Sequence, residues 1–204
     1  MSTLLLRLDG PMQSWGVQSH FDIRDTGYEP SKSGVIGLLC AALGRPRAAP
    51  LDDLAALRMG VRVDREGKLS RDYHTAGKGG YYKASGQIEK KTMIVSTRYY
   101  LADALFLVGL EGALPLLRQL QDALRDPVWP LYLGRKAFVP GMPVWLPDGL
   151  REQESLEQAL QAYPWLGRLG EPPAQHVGRQ LRVTLDDPEG ESVRNDLPIS
   201  FAER

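Results

Sequence analysis

A start signal and a stop signal frame the apolar run from Val35 to Leu43, and together they fix what the first quarter of the chain can become. Ser31 or Ser33 can cap a helix that opens at Gly34 or Val35, because a hydroxyl oxygen accepts from the otherwise unpaired first-turn amides. Gly44 followed by Pro46 ends such a helix. Upstream, Thr3 to Leu8 is a short leucine-rich run stopped by Asp9-Gly10-Pro11, which reads as a first strand. Residues 10–33 lack periodicity and form a long loop. Long loops in compact domains are functional or disordered, and Trp15, Phe21 and Tyr28 along this one favour an ordered loop. It carries Gly10-Pro11-Met12-Gln13-Ser14-Trp15-Gly16, and the helix opens on Pro30-Ser31-Lys32-Ser33-Gly34. Free amides, the helix dipole and Lys32 make that opening an anion site. No Gly-x-x-x-x-Gly-Lys-Ser/Thr pattern occurs there, so an ATPase is not supported.

Further along, Leu51 to Arg58 reads as a short helix and Met59 to Val63 alternates as a second strand. From Asp64 to Tyr100 the chain changes character, with five glycines, the tyrosines 73, 81, 82, 99 and 100, and β-type composition from Ile88 onward. The expectation is a hairpin arm projecting from the core. Ala104 to Val108 reads as a buried strand, Leu114, Leu117, Leu120 and Leu124 follow helical spacing, and Val144-Trp145-Leu146 is a further strand. The order is βαββαβ, which predicts an α+β, ferredoxin-like domain over residues 1–147 with the arm at about 64–100. RNA-binding modules of the RRM type use this order, although a fold alone does not assign a function. Residues 148–204 read as a small C-terminal extension, with a helix from Glu152 to Tyr163, a break at Glu171-Pro172-Pro173 and a strand from Leu181 to Leu185.

The 204 residues carry 25 Lys and Arg against 25 Asp and Glu. The sum is zero, but the distribution is uneven. Arg62 to Arg98 holds nine basic residues against four acidic, and the stretch from Asp148 holds eleven acids against six arginines. A basic middle and an acidic tail are what averaging conceals. One cysteine, Cys40, excludes an internal disulfide framework and a cysteine-based metal cluster. The opening Leu4-Leu5-Leu6 is broken by Arg7 and Asp9, which is not a signal peptide, and no run approaches the ~20 apolar residues of a membrane span. The expected location is the cytoplasm.

Candidate site residues follow from these features. Tyr73-His74, with Lys78 nearby, could cleave RNA without a metal, imidazole acting as general acid or base; the same residues could equally stack or hydrogen-bond. Arg98, beside Tyr99 and Tyr100 at the base of the arm, could wedge between bases or stack under one. Arg135 and Lys136 behind Gly134 could close on phosphate or remain a solvated turn. His20 and His176 sit in unrelated contexts, and no metal-site spacing occurs, so neither a metal nor another cofactor is expected.

Taken together, five ordered stretches resemble the CRISPR-associated protein 5 family of the RAMP superfamily, in its type I-E Cascade form. They are Leu6 to Gly16, Pro30 to Leu39, Arg71 to Thr75, Arg98 to Ala104, and Tyr132 to Lys136, and they span the first two thirds of the chain. After Lys136 the family pattern continues Ser-Cys, whereas Ala137-Phe138 follow here. The resemblance implies a RAMP domain with a protruding thumb at the predicted arm. It implies a non-catalytic subunit that caps the 5′ handle of the CRISPR RNA and helps assemble the antiviral complex. Its partners would be that RNA, the Cascade large subunit and the backbone subunits, with target DNA met only through the complex and no membrane. By position it places Gln13, Trp15, Lys32, Ser33 and Arg135 in handle-facing stretches, and Arg98 near a displaced nucleotide; Tyr73, His74 and Lys136 complete the expected RNA-binding set. The alternative is a metal-independent endoribonuclease that processes precursor RNA, as relatives in type I-C systems do.

Overall fold

The computed structural model describes residues 1–18, 22–83, 85–167 and 180–202. Strand β1 (Ser2–Asp9) ends at the Gly10-Pro11 turn, and the following loop is pinned by two-residue strands β2 (Met12–Gln13) and β3 (Ile23–Arg24). Helix α1 (Lys32–Leu43) has the caps its sequence predicts. The Ser31 hydroxyl accepts from the Gly34 amide at 3.3 Å, and Gly44 closes the helix at φ 68°. One turn, α2 (Asp52–Ala55), precedes β4 (Arg58–Arg65). The helix expected to reach Arg58 is cut short because Arg58 is already paired with Glu111 in the sheet. Next come β5 (Lys68–Ala76), β6 (Tyr81–Tyr82), β7 (Ile88–Glu89), β8 (Ile94–Ala102) and β9 (Leu105–Gly112). Helix α3 (Leu114–Arg125), β10 (Trp145–Arg151), α4 (Leu156–Ala162) and β11 (Val183–Leu185) follow. Helix α4 starts four residues later than expected because Ser155 and Gln158 form a reciprocal capping box. The predicted Glu171-Pro172-Pro173 break lies outside the described residues.

The chain is a mixed α and β fold with antiparallel main-sheet pairing. Its five-stranded sheet runs β10–β1–β9–β4–β11. Strand β1 is a near-continuous leucine run because both its faces are covered. Leu4, Leu6 and Leu8 join α1 and α3 in one core through residues such as Ile36, Leu39, Leu117 and Leu120, while Leu5 points the other way, to Leu107, Leu156 and Leu160. Gly60 and Gly109 let α4 lie close to the sheet, since a Cβ at either would stand within 2.7 Å of an α4 leucine. Strand β10 crosses position 147, and β11 extends the same sheet beyond β4.

The basic middle forms a ribbon. All nine residues of β5 pair with β8, from Lys68 opposite Ala102 to Ala76 opposite Ile94, and a small β6/β7 pairing lies at its tip. At its base β8 also pairs with β2 and, in parallel, with β3.

On the α4 side an ion pair is buried. Arg62 bonds Asp64 through Nε at 2.7 Å and Nη2 at 2.8 Å, and its remaining donors reach the carbonyls of Leu160, Tyr163 and Pro164. Asp64 accepts from the Leu166 amide at 2.7 Å, and its carbonyl accepts from the Trp165 indole. This guanidinium therefore satisfies the carbonyl end of α4, which a short helix would otherwise leave unpaired. Removing one partner strands the other charge. Asp64→Ala is expected to destabilise the protein by about 3–5 kcal/mol in urea unfolding, far more than removal of an exposed pair such as Arg118–Glu152.

Candidate nucleic-acid interface

Gln13 and Trp15 lie inside the fold. The Gln13 side chain is fully buried, and its Nε2 donates to the carbonyls of Leu8 at 3.0 Å and Ala104 at 2.8 Å. Its Oε1 accepts from Trp15 Nε1 at 3.2 Å. The indole is 1 % exposed and lies against Gly34, where a Cβ would come within 2.8 Å of the ring. The expectation that these two side chains face RNA gives way to a structural account. They fasten the loop after β1 to β9 on one side and to α1 on the other, because a buried amide must find partners.

That fastening positions a second loop. Gly134 has φ 86°, and a Cβ there would fall 1.7 Å from the Ser14 carbonyl oxygen, so only glycine fits. Beyond it Arg135 turns back, its Nη2 donating to the carbonyls of Arg24 at 3.2 Å and Asp25 at 3.3 Å, with its guanidinium 5.5 Å from the Phe138 ring centroid. Arg24 is the register partner of Arg98 in the parallel β3/β8 pair, and Arg98 is the partner of Asp72 in β5/β8. Three arginines from distant segments therefore gather at one place. Burial lowers the Arg135 pKa, and the charges of Arg98 and Arg24 lower it further, against opposing pulls from Asp25 and Asp72. A cation held among cations is electrostatically under-compensated, and an incoming phosphate would relieve it.

The other expected residues divide. His74 Nε2 lies 2.6 Å from Asp72 Oδ2, and both side chains share a ribbon face with Arg98. Tyr73, half-exposed beneath the Arg71 guanidinium, occupies the opposite face, so Tyr73 and His74 do not form one constellation. Lys136 is exposed beside Arg135. Ser33 lines a cleft of about 330 Å³ on α1, with Arg45, Arg47, Trp129, Tyr132 and Phe201 on its other walls. Lys32 is spoken for by the acidic tail: its Nζ meets Asp186 Oδ2 at 2.8 Å and its amide donates to Asp196 Oδ2 at 2.7 Å. Sequence reasoning missed Arg24, the Arg45 and Arg47 pair, and Trp129. None of these carried a local signal, since even the strand that holds Arg24 is two residues long. Among the described residues no cluster of three or more His, Cys, Asp or Glu could hold a metal, and no helix is long and apolar enough to cross a membrane. His20, His176 and Phe21 lie outside the described residues.

Residues 3–204 match the protein family described as CRISPR-associated protein (Cas_Cas5). The chain is 32 % identical over 218 aligned positions to the CRISPR system Cascade subunit CasD of Escherichia coli (strain K12), covering all of this chain and 93 % of that one. It is similar to a solved structure titled as a Cas protein, with TM-score 0.76 and 48 % identity over 98 % of this chain and 88 % of the other. A chain of a CRISPR RNA-guided surveillance complex aligns with TM-score 0.68 and 41 % identity, covering 83 % of this chain and 72 % of that one.

The loop leading into α1 is held from the C-terminal side. The buried Glu29 carboxylate accepts from Arg182, Arg194 and the Thr184 hydroxyl. Burial alone would raise its pKa, but the bonds and charges of Arg194, Thr184 and Arg182 outweigh it and hold the carboxyl below its ordinary 4.5. A depressed folded-state pKa gives stability that is complete above the ordinary value and lost as pH falls through the folded one. Melting temperature followed from neutral to acid should therefore fall more steeply in the wild type than in Glu29→Gln.

Proposed function

The chain belongs to the CRISPR-associated protein 5 family, and on that premise we propose that it is the Cascade subunit that grips the 5′ handle of the CRISPR RNA. The observation that carries this reading is the convergence of Arg24, Arg98 and Arg135 at the base of the β5/β8 ribbon. Base pairing supplies sequence specificity in RNA-guided recognition, and the protein holds backbone and shape. A local cationic cluster with exposed rings suits that task better than a high overall charge does. The exposed Tyr73 and the Trp129 and Tyr132 cleft offer surfaces on which a splayed base can stack.

The sheet order β10–β1–β9–β4, with α1 and α3 crossing one face, supports a ferredoxin-like RAMP domain, and the β5/β8 ribbon supports its reading as the thumb. Residues 148–204 act as an extension sharing the sheet of residues 1–147. Exposed Tyr82, Ile88, Met93 and Val95 on the ribbon suit a contact with sibling subunits, and the large and backbone subunits are the partners this reading assigns. Target DNA then meets the protein only within the complex, in the cytoplasm. Catalysis is not part of the reading: His74 is paired with Asp72, Tyr73 faces away from it, and Lys78 lies past the end of β5 between two glycines.

Single replacement of Arg24, Arg98 or Arg135 by Ala should weaken binding of handle RNA and reduce the slope of log affinity against log salt by about 0.7 for each phosphate no longer neutralised. An unchanged slope removes that residue from the phosphate-binding set. Repeat RNA incubated with the protein in EDTA should stay intact. Specific cleavage abolished by His74→Ala would overturn the binding-only reading in favour of the endoribonuclease.

A further inference from the structure

The ribbon face that carries Arg98 also carries an imidazole with one nitrogen already committed. His74 Nε2 lies 2.6 Å from Asp72 Oδ2. An ionised carboxylate only accepts, so the nitrogen facing it holds a hydrogen, and in the uncharged ring Nδ1 is then a bare acceptor. Asp72 and Arg98 are register partners across β5 and β8. Yet Asp72 turns outward to His74, and Arg98 Nε donates to Ser96 Oγ at 3.1 Å. Ser96 is the register partner of His74, so the imidazole stands one row, about 7 Å, beyond Arg98 on the same face.

Charged groups approach this row from each neighbouring element. Asp72 lies beside His74 on β5, and Arg98 lies on β8. Arg24 of β3 stands level with Arg98, and Asp22, whose carbonyl accepts from the Thr97 amide, precedes it next to Ser96. Phe138 brings the Arg135 loop onto this face by packing on Tyr100, with ring centroids 5.9 Å apart, and exposed Lys136 comes with it. Asp25 gives its Oδ2 to the amides of Val17 at 3.4 Å and Gln18 at 3.1 Å, and exposed Lys78 lies past the end of β5. The arginines oppose a positive charge on the ring, and Asp72 favours one. A phosphate that settles on the arginines removes the opposition. The side chains of His74 and Asp72 are 46 % and 53 % exposed, so solvent can supply the proton and an RNA backbone can reach Nδ1. A phosphate oxygen facing the uncharged ring sets lone pair against lone pair, whereas facing the imidazolium it gains a charge-assisted bond.

We propose that His74 is the proton-linked contact of the handle site: on RNA binding its Nδ1 takes one proton from solvent and hydrogen-bonds a backbone phosphate next to Arg98, while Nε2 stays on Asp72. The inference rests on the RNA-binding reading above and adds to it a contact and a dependence on pH. The imidazolium also screens the incoming phosphate from the Asp72 carboxylate. The bound state holds more protons than the free one, so affinity rises as pH falls. Imidazole changes its charge between about pH 5 and pH 8, a range in which ordinary carboxylates and guanidinium groups keep theirs.

The test is fluorescence anisotropy with a tetramethylrhodamine-labelled single-stranded handle RNA and the full chain, at fixed salt, from about pH 8 to about pH 6. Over that range wild-type affinity should rise roughly three- to tenfold more than that of His74→Gln, which keeps a donor for Asp72 but cannot take the charge. Calorimetry in two buffers of different ionisation enthalpy should show protons taken up on binding by the wild type and fewer by His74→Gln. A merely structural role for His74 moves neither readout. Parallel pH profiles for the two proteins, or equal proton uptake, overturn the proposal. Arg98→Ala separates the two readings. If it weakens binding at every pH while wild type and His74→Gln keep parallel profiles, only the proton linkage falls. If all three proteins bind alike, or none binds, the RNA-binding reading falls and the linkage with it.

Discussion

A guanidinium placed inside the fold is what the two-sided sheet depends on. Helix α4 is seven residues long, too short to be stable by its own hydrogen bonds, yet it must cover the Leu5 and Leu107 face of the central strands. Arg62 makes that cover possible by taking the carbonyls at the end of α4 while Asp64 neutralises it and holds the chain that follows. Without this pair the back of β1 would face water, and the leucine run that begins the chain would lose half the reason for its composition. The arrangement also makes the C-terminal part inseparable from the front half. Strand β4, which carries Arg62 and Asp64, is the one that β11 extends.

Much of this architecture is legible in the sequence because its signals are local. Ser31, Gly44 and Pro46 punctuate α1 within a few residues of its ends, leucine spacing marks α3, and the β-type composition of residues 64–100 announces the paired strands β5 and β8. What is not legible depends on long-range partners. Gln13 looks available for RNA because its partners, the carbonyls of Leu8 and Ala104, come from two different parts of the chain. Arg24 escapes notice because a two-residue parallel strand leaves almost no periodicity, and its meaning arises only from its register with Arg98. The split between Tyr73 and His74, by contrast, is within reach of the sequence. Once 68–76 is read as a strand, neighbours must face opposite ways.

Charge shows the same division between sum and placement. The net value of zero suggests indifference to nucleic acid, and the tail does spend two carboxylates, Asp186 and Asp196, on the ammonium and the amide of Lys32. Arg24, Arg98 and Arg135 gather beside Asp25 and Asp72, on a surface supported by a fixed glycine turn and a buried indole. What this surface offers a ligand therefore depends on where the charges are placed, which no composition count can supply.

The β5/β8 ribbon has a mechanical consequence. Nine paired residues at about 3.3 Å each make a beam about 30 Å long. Its inner end turns on Gly67 and Asp103, both in the left-handed region, with φ 72° and 66°. Strands β2 and β3 hold β8 between Thr97 and Ala102, so the inner half of this beam is fixed to the body. A tilt of about ten degrees beyond Thr97 would thus move Ile94, about 10 Å further out, by about 2 Å, while Arg98 is held in its pair with β3. The fold in this way separates an anchoring point from a reaching one on a single pair of strands.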